Sequence, residues 1–187
     1  MRLLLIILAS VAISIPSMAQ VTYNGVTLPA TIKAGDKDIS LNGGGVRKKL
    51  FFKLYTGGLY LEEKTGDASK IINTDKGMAV KLQITSSMIS SENMSEAINE
   101  GFVKSTKNNT APLKDKIAQF VATFGKEEIV EGNIFDIVYV PGTGVESYKN
   151  GKLQSTIDGM DFKKALFGIW LCDEPADEDL KKGMLGK

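Results

Sequence analysis

The stretch LNGGGVRKKLFFKLYTGGLYLEE, residues 41–63, gives the strongest indication of the fold in this sequence. Its second part, from Leu50 to Glu62, is rich in aromatic and β-favouring residues, which predicts a long strand in the protein interior. Gly57-Gly58 within that strand predicts a bulge or a close approach to the backbone. Arg47 lies between three glycines and the start of this strand, so it is either an edge charge or a binding group.

Further strands are predicted on both sides of this stretch. Asn24-Gly25 predicts a hairpin within VTYNGVTL, and a turn at 34–37 predicts a second strand pair. After the long strand we expect a short helix over 67–72 and a strand over 78–85. The first half of the chain is therefore mostly β-structure.

The middle of the chain predicts two amphipathic helices. The first begins at Ser90 or Ser91 and carries Met94, Ile98 and Phe102 on one face, with Ala97 beside them. Pro112 fits the first turn of the second helix, and Gly125 ends it. The apolar face of the second helix consists of Leu113, Ile117, Phe120, Val121 and Phe124.

The last third returns to strands and ends in helices. Turns at Pro141-Gly142 and Asn150-Gly151 predict a three-stranded meander. An apolar helix follows over 162–171, and EPADEDLKKGM predicts a final helix with acids in its first turn and lysines in its last. The predicted fold class is α+β, a large antiparallel sheet with helices packed on one face.

The first nineteen residues predict a secretory signal peptide. A positive start at Arg2 precedes an apolar run over 3–15, which is too short to span a membrane, and Ala19 closes a group of small residues suited to cleavage. We therefore expect a signal peptide over 1–19 and a single domain over 20–187 that is exported to a bacterial periplasm.

Composition argues against several classes of function. Of 23 basic residues Arg2 leaves with the signal peptide, so 22 basic and 22 acidic residues remain. This balance argues against nucleic-acid binding, which needs a basic surplus, and it gives no support to a polybasic membrane-surface patch. No later segment is long and apolar enough to cross a bilayer, so no transmembrane segment is expected.

Histidine is absent, which removes the usual histidine-dependent nucleophilic catalysis and the usual zinc sites. The single cysteine, Cys172, follows an apolar helix and is interpreted as a half-buried structural thiol. No cluster has metal-ligand spacing. We expect neither a metal nor a cofactor.

Two further segments, MSEAINEGF at 94–102 and FKKALFGIWLCDEPADEDLKKGMLG at 162–186, accompany the opening stretch. Together the three segments resemble the chalcone isomerase superfamily, most closely its bacterial chalcone-isomerase-like branch. The resemblance implies an open-faced β-sandwich, in which a long antiparallel sheet is covered by a layer of helices. In the plant enzymes of this family, a phenolate adds to an enone within one molecule, without a cofactor. Related non-catalytic members bind fatty acids, whose carboxylate is held by an arginine and a tyrosine.

The resemblance carries over to this chain residue by residue. The family arginine near the start of the long strand matches Arg47. The family strand threonine falls on Tyr55, or on Thr56 after a one-residue slip that reverses the face of the sheet.

The remaining polar positions of the enzymes are largely replaced. The helix tyrosine falls near Met94 and the late threonine falls on Ile169. The helix asparagine falls near Gly101, although Asn99 is close. Losing one preorganised donor for an anion commonly costs on the order of a hundredfold in rate, so we expect little isomerase activity.

Three hypotheses follow. The leading one is an exported, non-catalytic protein that binds a small apolar anion, such as a fatty acid, in a cleft between sheet and helices. Its expected ligand-binding residues are Arg47, Tyr55, Thr56, Met94, Ile98 and Ile169. The second is a cofactor-free intramolecular lyase for a phenolic or enone substrate, with Arg47, Tyr55, Thr56 and Asn99 as catalytic candidates and Tyr60 as a further donor. The third is an envelope interaction module without a ligand.

Overall fold

The computed structural model describes residues 20–187, and the predicted signal peptide lies outside the described residues. All strand pairings are antiparallel, and β1 (Val21–Tyr23) and β2 (Val26–Leu28) form a hairpin of their own. The other strands within 20–187 form one seven-stranded sheet in chain order: β3 (Thr31–Ala34), β4 (Lys37–Lys49), β5 (Phe52–Leu61), β6 (Met78–Ile84), β7 (Ile134–Val140), β8 (Gly144–Lys149) and β9 (Lys152–Ile157).

The helices pack on one face of this sheet. Within residues 20–187 they are α1 (Ala68–Asn73), α2 (Ser91–Ser105), α3 (Lys114–Gly125), α4 (Met160–Leu171) and α5 (Glu178–Met184). Asp67, Ser90 and Asp177 cap α1, α2 and α5, because each side chain accepts a hydrogen bond from a backbone N–H three residues later. The predicted α+β fold with an antiparallel sheet and a helical layer is therefore confirmed.

Two boundaries differ from the sequence predictions. The glycines at 43–45 and Arg47 lie inside β4 rather than before a strand, and Leu50-Phe51 forms the turn that leads into β5. Leu50 is therefore not part of the long strand that was predicted from it. Pro112 lies in a 3₁₀ turn ahead of α3, because its ring and missing N–H suit the entry to a helix better than its interior.

The glycines of β4 and β5 allow other parts of the chain to contact the sheet backbone. A Cβ atom on Gly43 would collide with the Gly183 carbonyl oxygen of α5. On the opposite face, a Cβ atom on Gly58 would lie 2.7 Å from Leu28 Cδ1. The predicted close approach at Gly57-Gly58 is confirmed, whereas the two irregularities in the β4–β5 pairing lie elsewhere, between Leu41 and Gly43 and between Arg47 and Lys48.

Two separate cores hold the layers together. The larger core lies between the sheet and the helices, and includes aromatic rings of α2, α3 and α4 such as Phe102, Phe120 and Phe162. The smaller core lies on the other face, under the β1–β2 hairpin, and includes Leu28, Ile39 and Tyr60. Beyond the hairpin this face carries charged side chains such as Lys81, Asp136 and Glu146 and is not covered by helices, so the sandwich is open on one side. No helix in residues 20–187 combines the length and apolar character that a membrane span needs.

Candidate functional site

A narrow apolar cavity lies between the sheet and helices α2, α3 and α4. Arg47 and Tyr55 line it from neighbouring strands, and the other lining residues are Leu82, Met94, Ala97, Ile98, Phe120, Phe124, Ile137, Ile169 and Trp170. Its volume is about 20 Å³, which is room for about one water molecule. One cationic group therefore borders an almost filled hydrocarbon interior.

Arg47 is the only charged residue among those lining the cavity within residues 20–187. It pairs with Tyr55 across β4 and β5, and its Cζ atom lies 5.6 Å from the centroid of the Tyr55 ring, within the range of a cation–π contact. The Nε atom of Arg47 is buried and has no hydrogen-bond partner within residues 20–187. A buried donor without an acceptor is costly, so this atom is suited to an incoming anion.

Asp177 is the acidic residue near Arg47 and Tyr55, and its carboxylate is hydrogen-bonded to backbone N–H groups. Asp177, the cap of α5, accepts hydrogen bonds from the backbone N–H of Lys48 at 2.9 Å and of Leu180 at 2.8 Å. Within the described part of the chain, no carboxylate lies within 4 Å of the Arg47 guanidinium. The charge of Arg47 is therefore not neutralised by an internal ion pair.

Tyr55 supplies the second polar group of the cavity. Its side chain is buried, and its hydroxyl oxygen accepts a hydrogen bond of 2.9 Å from the indole Nε1–H of Trp170. Burial raises the pKa of Tyr55, and the positive charge of Arg47 and the hydrogen bond from Trp170 only partly oppose this shift. Tyr55 is thus a neutral hydroxyl whose proton remains available for donation to a ligand.

Close packing of α2 against α4 forms the cavity wall opposite the sheet. A Cβ atom on Gly101 of α2 would lie 2.8 Å from Ile169 Cγ2, and one on Gly168 of α4 would lie 2.8 Å from Ser105 Cβ. The two glycines let the helix backbones approach, and Ile169 fills the space in front of Gly101. Gly101 and Ile169, which fall near or on polar positions of the plant enzymes, are therefore in direct apolar contact.

The structure brings together five of the predicted ligand-binding residues: Arg47, Tyr55, Met94, Ile98 and Ile169 all line this cavity. Thr56 does not, which corrects the expectation that it lies in the cleft. Because neighbouring strand residues alternate between faces, Thr56 faces the β1–β2 hairpin, where its hydroxyl donates to the Tyr23 carbonyl oxygen at 3.2 Å. The role of the five lining residues in binding stays a prediction.

The other donors expected for an enzyme are also elsewhere. Tyr60 lies on the Thr56 side of the sheet and donates its hydroxyl proton to the Pro29 carbonyl oxygen at 3.0 Å. Asn99 lies on α2 but lines a surface groove towards α3 instead of the cavity. Of the proposed catalytic donors, Arg47 and Tyr55 remain in the cavity.

Sequence reasoning missed Trp170 and several apolar lining residues. Trp170 lies in the apolar helix predicted over 162–171, and nothing in the sequence indicates that its N–H reaches Tyr55 across the core. Leu82 and Ile137 could have been found, because alternation along β6 and β7 directs both to the helical side of the sheet. Within residues 20–187, no cluster of three or more histidine, cysteine or acidic side chains is placed to hold a metal ion.

Comparisons with known proteins show which family and which solved structures have this fold. A family model described as chalcone isomerase-like matches residues 20–186. The chain belongs to the chalcone isomerase-like family. Among solved structures, this chalcone isomerase-like protein is similar to a fatty-acid binding protein of Arabidopsis thaliana, with a TM-score of 0.67 and 18% sequence identity. The alignment covers 86% of this chain and 92% of the plant chain, and it shows a common fold. A search of curated protein sequences gave no significant match.

Proposed function

We propose that this chalcone isomerase-like protein is a non-catalytic binding protein for a small apolar anion, such as a fatty acid. The observation that carries the proposal is the buried Nε of Arg47, which lacks a hydrogen-bond partner within residues 20–187 and borders an apolar cavity. The fold shared with a plant fatty-acid binding protein is consistent with it. The acid group would pair with Arg47, and the hydrocarbon chain would lie between α2, α4 and the sheet.

The chemistry of the two polar side chains suits a carboxylate. A guanidinium presents N–H groups in a planar fork that matches two carboxylate oxygens, and it stays charged at all physiological pH values. Tyr55 has a neutral hydroxyl beside that fork, and its oxygen already accepts the Trp170 N–H, so its proton is free to be donated. Asp177 accepts hydrogen bonds from two backbone N–H groups and forms no ion pair with Arg47 within 4 Å.

Binding requires the cavity to widen, since about 20 Å³ cannot hold a hydrocarbon chain. Met94 is the lining side chain best suited to move, because it is unbranched and has three rotatable bonds. Ile98 and Ile169 would separate as α2 moves away from α4. The free energy of opening lowers the apparent affinity, so substitutions that shorten Met94 should strengthen binding.

An interaction module without a ligand is the second candidate, because the cavity is nearly filled in this structure. Against it stands Arg47, because within residues 20–187 its buried Nε has no hydrogen-bond partner and no carboxylate lies within 4 Å of its guanidinium. The lyase hypothesis has less support, because Thr56, Tyr60 and Asn99 lie outside the cavity.

A palmitate titration tests the proposal. The single tryptophan, Trp170, lines the cavity, so its fluorescence reports directly on occupancy. We expect wild type to bind, and Arg47→Ala to bind about tenfold or more weakly, because a charge-assisted hydrogen bond is lost. Lys33→Ala is the matched control, since Lys33 is exposed and pairs with Asp38 at 3.0 Å. Equal affinity of all three proteins would contradict the role of Arg47.

Export is a separate part of the proposal. We propose that residues 1–19 direct a bacterial protein of this family to the periplasm and are removed after Ala19. The intact mass of the protein recovered from the periplasmic fraction of a bacterial host should correspond to a chain that starts at Gln20. A full-length chain retained in the cytosolic fraction would contradict this.

A further inference from the structure

The hairpin between β4 and β5 ends in an exposed apolar tip. Six consecutive residues, Lys48 to Lys53, are all exposed, and we call this segment KKLFFK the β4–β5 tip. Leu50 is 83% exposed, Phe51 97% and Phe52 50%. Three large apolar side chains next to one another at the end of a hairpin contact no core of the described protein, and such clusters mark sites of interaction.

The backbone of the tip is also unfavourable for the residues it carries. Leu50 has a φ of +56°, a left-handed conformation that bulky residues avoid. The chain uses Asn-Gly at two other tight hairpin turns, Asn24-Gly25 and Asn150-Gly151, where φ is positive at both positions. At the β4–β5 tip it instead places Leu-Phe. Neither turn preference nor burial explains why Leu and Phe occupy this turn. We therefore attribute them to a contact with another molecule.

The charges around the tip specify what it contacts. Lys48, Lys49 and Lys53 flank the apolar residues and form a cationic border around them. The Lys53 ammonium donates to the Asn24 side chain at 3.0 Å, and Asp177 accepts from the backbone N–H of Lys48, so neither interaction is an ion pair of a lysine side chain. An apolar end bordered by lysines matches the boundary of an anionic bilayer, where hydrocarbon lies beneath negative headgroups.

The convex shape of the tip favours a bilayer over a folded partner. A two-residue turn projects its side chains outwards, and the high exposure of Leu50 and Phe51 shows that these two side chains do not lie in a groove of the described residues. Insertion into a lipid surface requires no complementary pocket, because the bilayer adapts to the side chains. Arg47 lies three residues before Leu50, roughly 10 Å along the strand, so a docked tip would place this cavity-lining residue near the lipid.

We propose that the β4–β5 tip inserts Leu50, Phe51 and Phe52 into the surface of an anionic lipid bilayer, with Lys48, Lys49 and Lys53 among the headgroups. This activity does not depend on the proposed function of the cavity. If the cavity binds fatty acids, docking of the tip provides a route for them to enter from the membrane.

Vesicle sedimentation tests the proposal with a variant that is expected to fold. Leu50→Gly combined with Phe51→Ser places glycine at the one turn position that has a positive φ, so its melting temperature should equal or exceed that of wild type. We expect wild type to bind vesicles of phosphatidylcholine mixed with phosphatidylglycerol more tightly than vesicles of phosphatidylcholine alone. The double variant should bind the anionic vesicles about tenfold or more weakly, because two apolar side chains no longer enter the lipid.

Two controls separate this tip from other surfaces. Leu153→Asn replaces another leucine that is half exposed, on β9, and should leave vesicle binding unchanged. Arg47→Ala removes the cavity cation and should keep vesicle binding even if palmitate binding is lost. The proposal is overturned if wild type does not bind anionic vesicles or if the double variant binds them equally. It is also overturned if the tip instead drives a concentration-dependent dimer that the double variant abolishes.

Discussion

Arg47 is half-buried and combines two unusual properties. Its guanidinium borders the apolar cavity, and its Nε is buried without an acceptor within residues 20–187. Both properties reduce stability, because a desolvated donor loses its hydrogen bonds to water. Retaining such a group in the absence of an internal partner is typical of a site where function and stability oppose each other.

Replacing Arg47 by Met distinguishes a binding role from a structural role. If Arg47 serves a ligand, Arg47→Met should leave the free energy of unfolding unchanged or higher, while palmitate affinity falls. Methionine keeps an unbranched apolar chain in place of the arginine stem and buries no unpaired donor. The measurement is urea denaturation of the ligand-free protein. A loss of more than about 1 kcal/mol would indicate that the guanidinium holds the fold together.

The Tyr55–Trp170 hydrogen bond provides a second test at the level of residues. Tyr55→Phe removes the acceptor of a buried indole N–H, and we expect a loss of about 1–3 kcal/mol in the free energy of unfolding. Trp170→Phe removes the donor together with much apolar contact. In a double-mutant cycle the two losses should be less than additive, since the second change no longer breaks the bond. Strict additivity would show that the hydrogen bond does not contribute.

At the level of elements, the distance between α2 and α4 sets the size of the cavity. Gly101→Ala should destabilise the protein by about 1–3 kcal/mol, because the new Cβ atom would lie 2.8 Å from Ile169 Cγ2. Gly125→Ala is the matched control at the end of α3, where a Cβ atom meets nothing within 4 Å. There we expect a gain of about 0.5–1 kcal/mol from helix propensity. Thermal denaturation measures both. Equal effects would mean that α2 and α4 adapt freely.

The number and type of elements could be predicted from the sequence, because they depend on local patterns. Alternation, the Asn-Gly turns and the helix caps are each encoded within a few residues, and the structure follows them closely. The run from Gly43 to Gly45 was misplaced because glycine usually interrupts a strand, whereas here α5 requires a backbone without side chains. That requirement comes from residues more than a hundred positions away.

The candidate site could be predicted only in part, for the same reason. Met94 was identified because helix periodicity and the family resemblance agree on it, whereas Ile98 rested on periodicity and Ile169 on the resemblance. Tyr55 and Thr56 stayed open as alternatives on opposite faces because a one-residue slip in alignment reverses a strand, and the pairing of Arg47 with Tyr55 decides for Tyr55. The hydrogen bond from Trp170 could not be found, since no local pattern relates two side chains across the core.

At the level of the whole molecule, a buried lysine connects two parts of the helical layer. Lys163 of α4 is fully buried, and its ammonium donates to the carbonyl oxygens of Ile71, Ile72 and Thr74 at 2.8–2.9 Å. These carbonyls lie at the C-terminal end of α1, where they lack partners within the helix. Burial lowers the pKa of Lys163 to about 8.

The stability of the whole protein should therefore rise with pH above about 8. Between this pKa and the unfolded value near 10.4, the unfolded chain binds more protons than the folded one, so raising the pH favours folding. Burial and neighbouring carboxylates raise the pKa of Tyr139 and Tyr148 to about 12. These tyrosines reverse the trend above about pH 10, because they ionise first in the unfolded state.

Urea denaturation across this pH range checks the prediction. We expect the free energy of unfolding to increase by about 2 kcal/mol between pH 8 and 10 and then to fall. Lys163→Met lowers stability at every pH because three carbonyls lose their donor, but it should abolish the rise. If the rise in the free energy of unfolding persists in this variant, another titrating group causes it.

The position of a bound fatty acid is the most direct measurement of whether the cavity binds the chain and Arg47 binds the carboxylate. A crystal structure of the protein with a fatty acid brominated at the end of its chain would locate both ends of the ligand independently. We predict that the carboxylate lies within hydrogen-bond distance of Arg47 Nε and that the bromine lies between α2 and the sheet, in a cavity widened by movement of Met94. A carboxylate bound away from Arg47, or a chain that lies on the surface while the cavity stays closed, would contradict the proposal that Arg47 and the cavity form the binding site.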